Sequence, residues 1–179
     1  MRWSRLMAPA ALSMLVLAGA PEVAEMAPAP GGGVAPRASG PQEAEVIAVL
    51  VDPRLQTPVV VLEGKRDRRR LPLAIGPMEA QGIAVPLHGA TPPRPLTHDL
   101  FLTLFGRLNV ALARVVITDL RDDVYYATVH LRVNGKDMTL DARPSDAIAL
   151  ALRARAPVLV EDHVFDKGAL PDPADRTRI

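Results

Sequence analysis

One corner of the chain occurs twice, and a chain that repeats such a unit has to fold as two related halves. Leu73-Ala74-Ile75-Gly76-Pro77-Met78-Glu79-Ala80 aligns with Leu140-Asp141-Ala142-Arg143-Pro144-Ser145-Asp146-Ala147. Pro77 falls on Pro144 and Glu79 on Asp146, an offset of 67 in both pairs. Each copy reads as a strand end, a turn and a helix start. Proline suits the first helical position, where its missing N–H would be unsatisfied anyway and its fixed φ is already helical. Asp146 is placed to accept the free N–H groups of the first turn and to face the positive end of the helix dipole. After it comes Ala147-Ile148-Ala149-Leu150-Ala151-Leu152, apolar nearly all round, which predicts a buried helix.

The flanking runs repeat as well. Residues 44–51 and 58–63 are β-branched and bounded by Asp52-Pro53 and Gly64, residues 71–75 return as a third strand, and residues 78–87 form a helix ended by Pro86 and Gly89. Residues 113–119, 125–133 and 137–142 match them, with Asn134-Gly135 as a hairpin turn, then a helix over 144–155 and a last strand over 156–160. Between the halves lies a helix with Thr97 as N-cap and Asp99 in the first turn. Its Leu100, Phe101, Leu104, Phe105 and Leu108 recur at helical spacing. Short hairpin links imply mainly antiparallel pairing. The expected class is α+β, duplicated β-β-β-α units with an inserted helix, over residues 43–165, with a frayed tail over 166–179.

The first residues are of another kind. Residues 1–20 read as an export signal: Arg2 and Arg5, an apolar run over 6–17 interrupted by Pro9, then Ala18-Gly19-Ala20. Cleavage after Ala18 fits the small residues, and the run is short for a membrane span. The expected location is periplasmic or secreted, or cytoplasmic if the true start lies further on. Residues 21–42, rich in Pro, Ala and Gly, cannot bury a core and read as a linker.

Composition narrows the chemistry. The formal charge of +1 excludes a protein that coats polyanions over its whole surface. With no cysteine there is no disulfide, thiolate metal site, cysteine nucleophile or lipid anchor on cysteine. Aromatic residues at 3% argue against a stacking platform for single-stranded bases. Three polar clusters each have a plainer reading. Lys65-Arg66-Asp67-Arg68-Arg69-Arg70 is a basic hairpin tip that either holds phosphates or is simply solvated. His98 beside Asp99 is either an acid–base pair or a helix-capping cluster. At the second corner, the plainer account pairs Arg143 with Asp141 and leaves Ser145 and Asp146 as caps.

Several of these stretches resemble a known family, the bifunctional nuclease domain. They are Ile75-Gly76 with Glu79-Ala80, Arg94-Pro95-Leu96-Thr97-His98-Asp99-Leu100, Asp119-Leu120, Tyr125-Tyr126-Ala127, and the run from Asp141 to Ala151. The resemblance covers about residues 43–160. It implies a single α+β domain with a bent, barrel-like sheet, and hydrolysis of DNA and RNA phosphodiesters in some members. Gly82, which softens the first helix, and the long basic tip depart from the pattern.

A phosphodiesterase needs an activated water, charge stabilisation on the phosphate and a proton for the leaving oxygen. On the matched positions, Asp141, Asp146 and Glu79 would hold a divalent metal such as Mg²⁺, with Asp119 in reserve. His98, oriented by Asp99, would be the general acid or base. Arg94 and Arg143 would clamp phosphate oxygens, with Thr97 and Ser145 in the substrate site. The expected partner is nucleic acid, DNA and RNA, and a homo-oligomer stays open. The alternative is a non-catalytic module of the same fold that binds a phosphorylated ligand or serves assembly, since no strict metal motif such as His-Glu-x-x-His occurs. A weaker third class is a cell-envelope structural protein.

Overall fold

A computed structural model of the chain describes residues 40–53 and 56–170. The export signal, most of the linker and the end of the tail lie outside the described residues. The first half is β1 (Gln42–Val51), β2 (Pro58–Gly64), β3 (Arg70–Ala74) and α1 (Pro77–Leu87). After α2 (Thr97–Arg107), the second half repeats the order as β4 (Val110–Arg121), β5 (Val124–Val133), β6 (Lys136–Ala142) and α3 (Pro144–Ala154). β7 (Val158–Val160) and α4 (Asp162–Gly168) follow.

The strands make one seven-stranded sheet in the order β3-β2-β1-β7-β4-β5-β6. Each half is an antiparallel meander, and β7 joins them, antiparallel to β1 and parallel to β4. Both long hairpins carry a bulge at a comparable place, between Val46 and Ala48 and between Leu112 and Arg114. The α+β class and the duplication are as the sequence reads. The barrel-like closure is not: β3 and β6 are separate edges of an open sheet. The chain leaving α4 returns to β3, where the Leu170 amide donates to the Arg70 carbonyl at 2.8 Å and takes up part of that free edge.

Alternation along the strands puts Val60, Leu62, Leu71, Leu73, Val115, Ile117, Ala127 and Val129 into one core, which α1 and α3 cover. These helices meet through small residues, Ala80 and Gly82 on α1 and Ala147, Ala149 and Ala151 on α3, all buried. α3 is buried along most of its length, as its composition predicts. α2 is not. No residue of it is buried, and Leu100, Phe101, Leu104 and Leu108 are exposed, because α2 lies outside α3 and only Phe105 reaches the core.

α4 occupies residues that read as the domain end and a frayed tail. Its seven residues carry little helical signal, but Val164 and Phe165 are fully buried, and burial rather than propensity holds it. The basic tip fastens it. Arg66 pairs with Asp162, and Arg69 pairs with Asp67, Asp162 and Asp166 while lying 4.8 Å from the centre of the Phe165 ring. Arg68 and Arg70 pair with the buried Glu63, and Lys65 with Glu43. Every cation of the tip is thus engaged by a carboxylate of the chain, which removes the tip as a free phosphate patch.

Candidate functional site

Arg143 stands at the N-cap of α3 with extended backbone, φ −67°, followed by Pro144 at the first helical position. Neither Asp146 nor Glu79 caps its helix, contrary to the simplest reading of the sequence; no side-chain cap bond forms at either start. Both carboxylates are taken by Arg143. Its Nε donates to Asp146 Oδ2 at 2.7 Å and its Nη2 to Asp146 Oδ1 at 3.2 Å, a bidentate fork, and its Nη1 donates to Glu79 Oε1 at 2.9 Å. The guanidinium therefore closes the gap between the two repeated corners. It is still 63% exposed, so it can exchange partners without unfolding anything.

His98 enters the same cleft from the first turn of α2. Its Nε2 lies 3.5 Å from Asp146 Oδ1, with the imidazole only 16% exposed. Gly82 makes room for it, since a Cβ there would sit 3.0 Å from His98 Cε1. The glycine that looked like a softening of α1 is a seat for the histidine. Burial acts to raise the Asp146 carboxyl, but the Arg143 fork and the facing imidazole outweigh it and hold the carboxyl below its ordinary range. The cleft encloses about 240 Å³, and Thr97, Leu96 and Met78 complete its walls.

Other predicted residues fall elsewhere. Asp99 does not orient His98. Its Oδ2 accepts the Leu96 amide at 2.8 Å and its Oδ1 accepts from Arg153 Nε at 2.8 Å. Leu96, not Thr97, is the N-cap of α2, and the Asp99 carboxylate reaches back from the first turn to accept the Leu96 amide. Arg94 lines a second cavity, on the other side of the turn leading into α2, together with Asp99 and Arg153. Ser145 is buried beneath the corner. Asp141 is exposed on β6 opposite Thr128, and it makes no ion pair with Arg143 or any other described residue. Asp119, on β4, is taken up by α4: Lys167 Nζ donates to it at 2.9 Å, and that bond chiefly pulls its carboxyl down to about 2.

This donor set does not fit a resident divalent cation. Among the described residues no three acidic or histidine side chains are placed so that they could hold a metal ion. Of the three carboxylates expected as ligands, Asp141 stays apart, and the Arg143 guanidinium occupies the space between Glu79 and Asp146 where a cation would sit.

The sequence reading missed Arg153. Its side chain is 7% exposed, and besides Asp99 it bonds the carbonyls of Gly82 at 2.6 Å and Ala149 at 2.9 Å. An arginine in the last turn of an apolar helix reads as a complement to the dipole. Its position on the face that carries Ala149 was the available signal.

The fold, the two corners and the α2 start together define a region that comparison with known proteins can test. A family model described as the bifunctional nuclease domain matches residues 60–172. The chain belongs to the bifunctional nuclease domain family. An uncharacterized protein of Mycobacterium tuberculosis is 38% identical to it over 135 residues, which is 74% of this chain and 80% of that protein. Bifunctional nuclease 1 of Oryza sativa subsp. japonica is 32% identical over 75 residues, 40% of this chain and 23% of the rice protein. The span of the family model takes in both corners, α2 and the Arg143 cleft.

Proposed function

We propose that the cleft hydrolyses phosphodiester bonds of nucleic acid, DNA and RNA alike. The observation that carries this reading is the meeting of His98, Asp146, Glu79 and Arg143, from three separate helix starts, in one open cleft. The family membership and the name of the rice relative support it. Arg143 exchanges a carboxylate for a phosphate oxygen and bears the charge that builds on phosphorus. His98 Nε2, the imidazole atom facing the cleft, takes the proton of the attacking water as its oxygen bonds phosphorus and the P–O bond to the leaving oxygen breaks. The leaving oxygen takes a proton from solvent in the open cleft. Asp146 steadies the imidazolium formed.

The test is cleavage of labelled single- and double-stranded DNA and RNA by the purified chain, with and without chelator. His98→Ala should lower the rate by about a hundred-fold or more, the usual scale for a lost acid–base group. Asp146→Asn should cost more than Glu79→Gln, since Asp146 bonds Arg143 twice and also faces His98. Cleavage that survives both His98→Ala and Arg143→Ala would sink the assignment.

One observation favours a second reading. Glu79 and Asp146 together overbalance Arg143, so the resting cleft is formally acidic unless His98 is protonated. That suits a latch between the two halves of an assembly module and not a phosphate site. Absence of turnover of any substrate, with a loss of stability in Arg143→Ala, would select it. Export from the cytoplasm rests on the leader-like segment alone, and cell fractionation of the full chain would test it.

A further inference from the structure

The second cavity, apart from the cleft, encloses about 370 Å³ between the last turn of α1 and the extended segment that precedes α2. That volume lies at the small end of pockets that take one small molecule. Its walls are mostly apolar, with Pro92, Pro93 and Pro95 among them, and its charged groups are Arg94, Asp99 and Arg153. Two guanidiniums against one carboxylate leave it formally cationic.

Two donors there have no acceptor. Arg153 is more than nine-tenths buried, and its Nη2 is shut off from solvent with no hydrogen-bond partner among the described residues. Nη2 lies on the same edge of the planar fork as Nε–H, the edge turned to Asp99. Asp99 does not serve it as well: its Oδ1 takes Nε and its Oδ2 takes the Leu96 amide. A buried charged donor left unmade is costly, and it leaves the Arg153 guanidinium one acceptor short at the cavity wall. Arg94 is exposed at the rim and has no ion pair among the described residues.

We propose that this cavity binds a nucleoside monophosphate, its phosphate held by the Arg94 and Arg153 guanidiniums and its base against the proline faces. The excess positive charge calls for an anionic oxyacid, and the flat apolar wall suits a ring. The assignment does not depend on catalysis in the cleft, because a monophosphate offers no diester to cleave.

The experiment is calorimetric titration of the full chain with adenosine monophosphate, with inorganic phosphate and with adenosine. Adenosine monophosphate should bind, and the other two should each bind at least about ten-fold more weakly, the scale of one charge-assisted hydrogen bond lost. Arg94→Ala should weaken adenosine monophosphate by about ten-fold. Ala90→Phe, which fills the cavity from its exposed rim, should abolish binding. Arg143→Ala, which empties the cleft of its guanidinium, should leave it unchanged. The proposal falls if adenosine monophosphate does not bind at millimolar concentration, or if inorganic phosphate binds as tightly. It also falls if Arg143→Ala abolishes binding while Ala90→Phe does not, which would place the ligand in the cleft.

Discussion

The two corners share a backbone design and differ in what they carry. At the N-cap the first has Gly76 and the second Arg143. A Cβ on Gly76 would meet the end of the Glu79 side chain and push it aside, so the glycine leaves that carboxylate where Arg143 takes it. It contributes an acid only, and the arginine of the second corner serves both. One turn further on, Gly82 and Ala149 are equivalent positions at the crossing of α1 and α3, where the glycine admits His98. A turn beyond that, Pro86 matches Arg153. A proline has no N–H for the carbonyl four residues back, which leaves the Gly82 oxygen without its helical donor. Arg153 Nη1 fills that vacancy at 2.6 Å. Duplication supplied the positions twice; the site exists because the copies diverged in complementary directions.

Removing Arg153 is the severest way to break this complementarity. Arg153→Met keeps the aliphatic volume but strips the donors from Asp99, Gly82 and Ala149. Losing one partner of a buried pair typically costs about 3–5 kcal/mol. Asp99 is a third exposed, so the lower end applies, about 3 kcal/mol, read as a fall in urea unfolding free energy. A loss under about 1 kcal/mol, the size of an ordinary surface contact, would show that Arg153 does not tie the halves together.

The contrast between the copies also explains what the sequence disclosed. The offset of 67 exposed the halves because Pro77 and Pro144 sit where proline is positively favoured, and the hairpin turn at Asn134-Gly135 needs positive φ, which both residues adopt. Asp146, Glu79, Arg143 and His98 were legible as polar residues at helix starts, and the fold does unite them. Their partners were not legible. Local rules assign Asp146 and Glu79 to caps and Asp99 to His98, whereas the distances that decide are between α1, α2 and α3. Arg153 and Gly82 matter only through a helix crossing, which no local pattern encodes. α4 was invisible because two buried side chains and a set of ion pairs hold it, not helical periodicity.

A finer probe of the same crossing is Pro86→Ala. Alone it should change stability little, since the restored amide and Arg153 Nη1 can share the two lone pairs of the Gly82 carbonyl. Combined with Arg153→Met it should recover about 1 kcal/mol, the net worth of one hydrogen bond. The double-mutant cycle from urea denaturation would therefore give a coupling of that size. Additivity within about 0.4 kcal/mol would mean that the proline and the arginine are unconnected.

The smallest expected effect concerns how α4 clasps the two halves, with opposite polarity on each. Its acids Asp162 and Asp166 take the arginines of the first half's tip, while Lys167 and His163 face Asp119 of the second half, at 2.9 and 3.4 Å. The Lys167 bond lowers the Asp119 carboxyl from 3.8 to about 2. A carboxyl lowered by folding stabilises the native state at pH values above its unfolded value, and that contribution fades as pH falls through the folded value. Stability contributed by Asp119 should thus be intact above about pH 5 and gone near pH 2. Exposed ion pairs contribute little, so the difference between the chain and Asp119→Asn should be small at neutral pH. The diagnostic is its shape: the gap in urea midpoint should narrow steadily as the buffer is taken down through that window. A gap that stays constant to pH 2 would mean that Asp119 acts through packing, and that only the first half is held to α4 by charge.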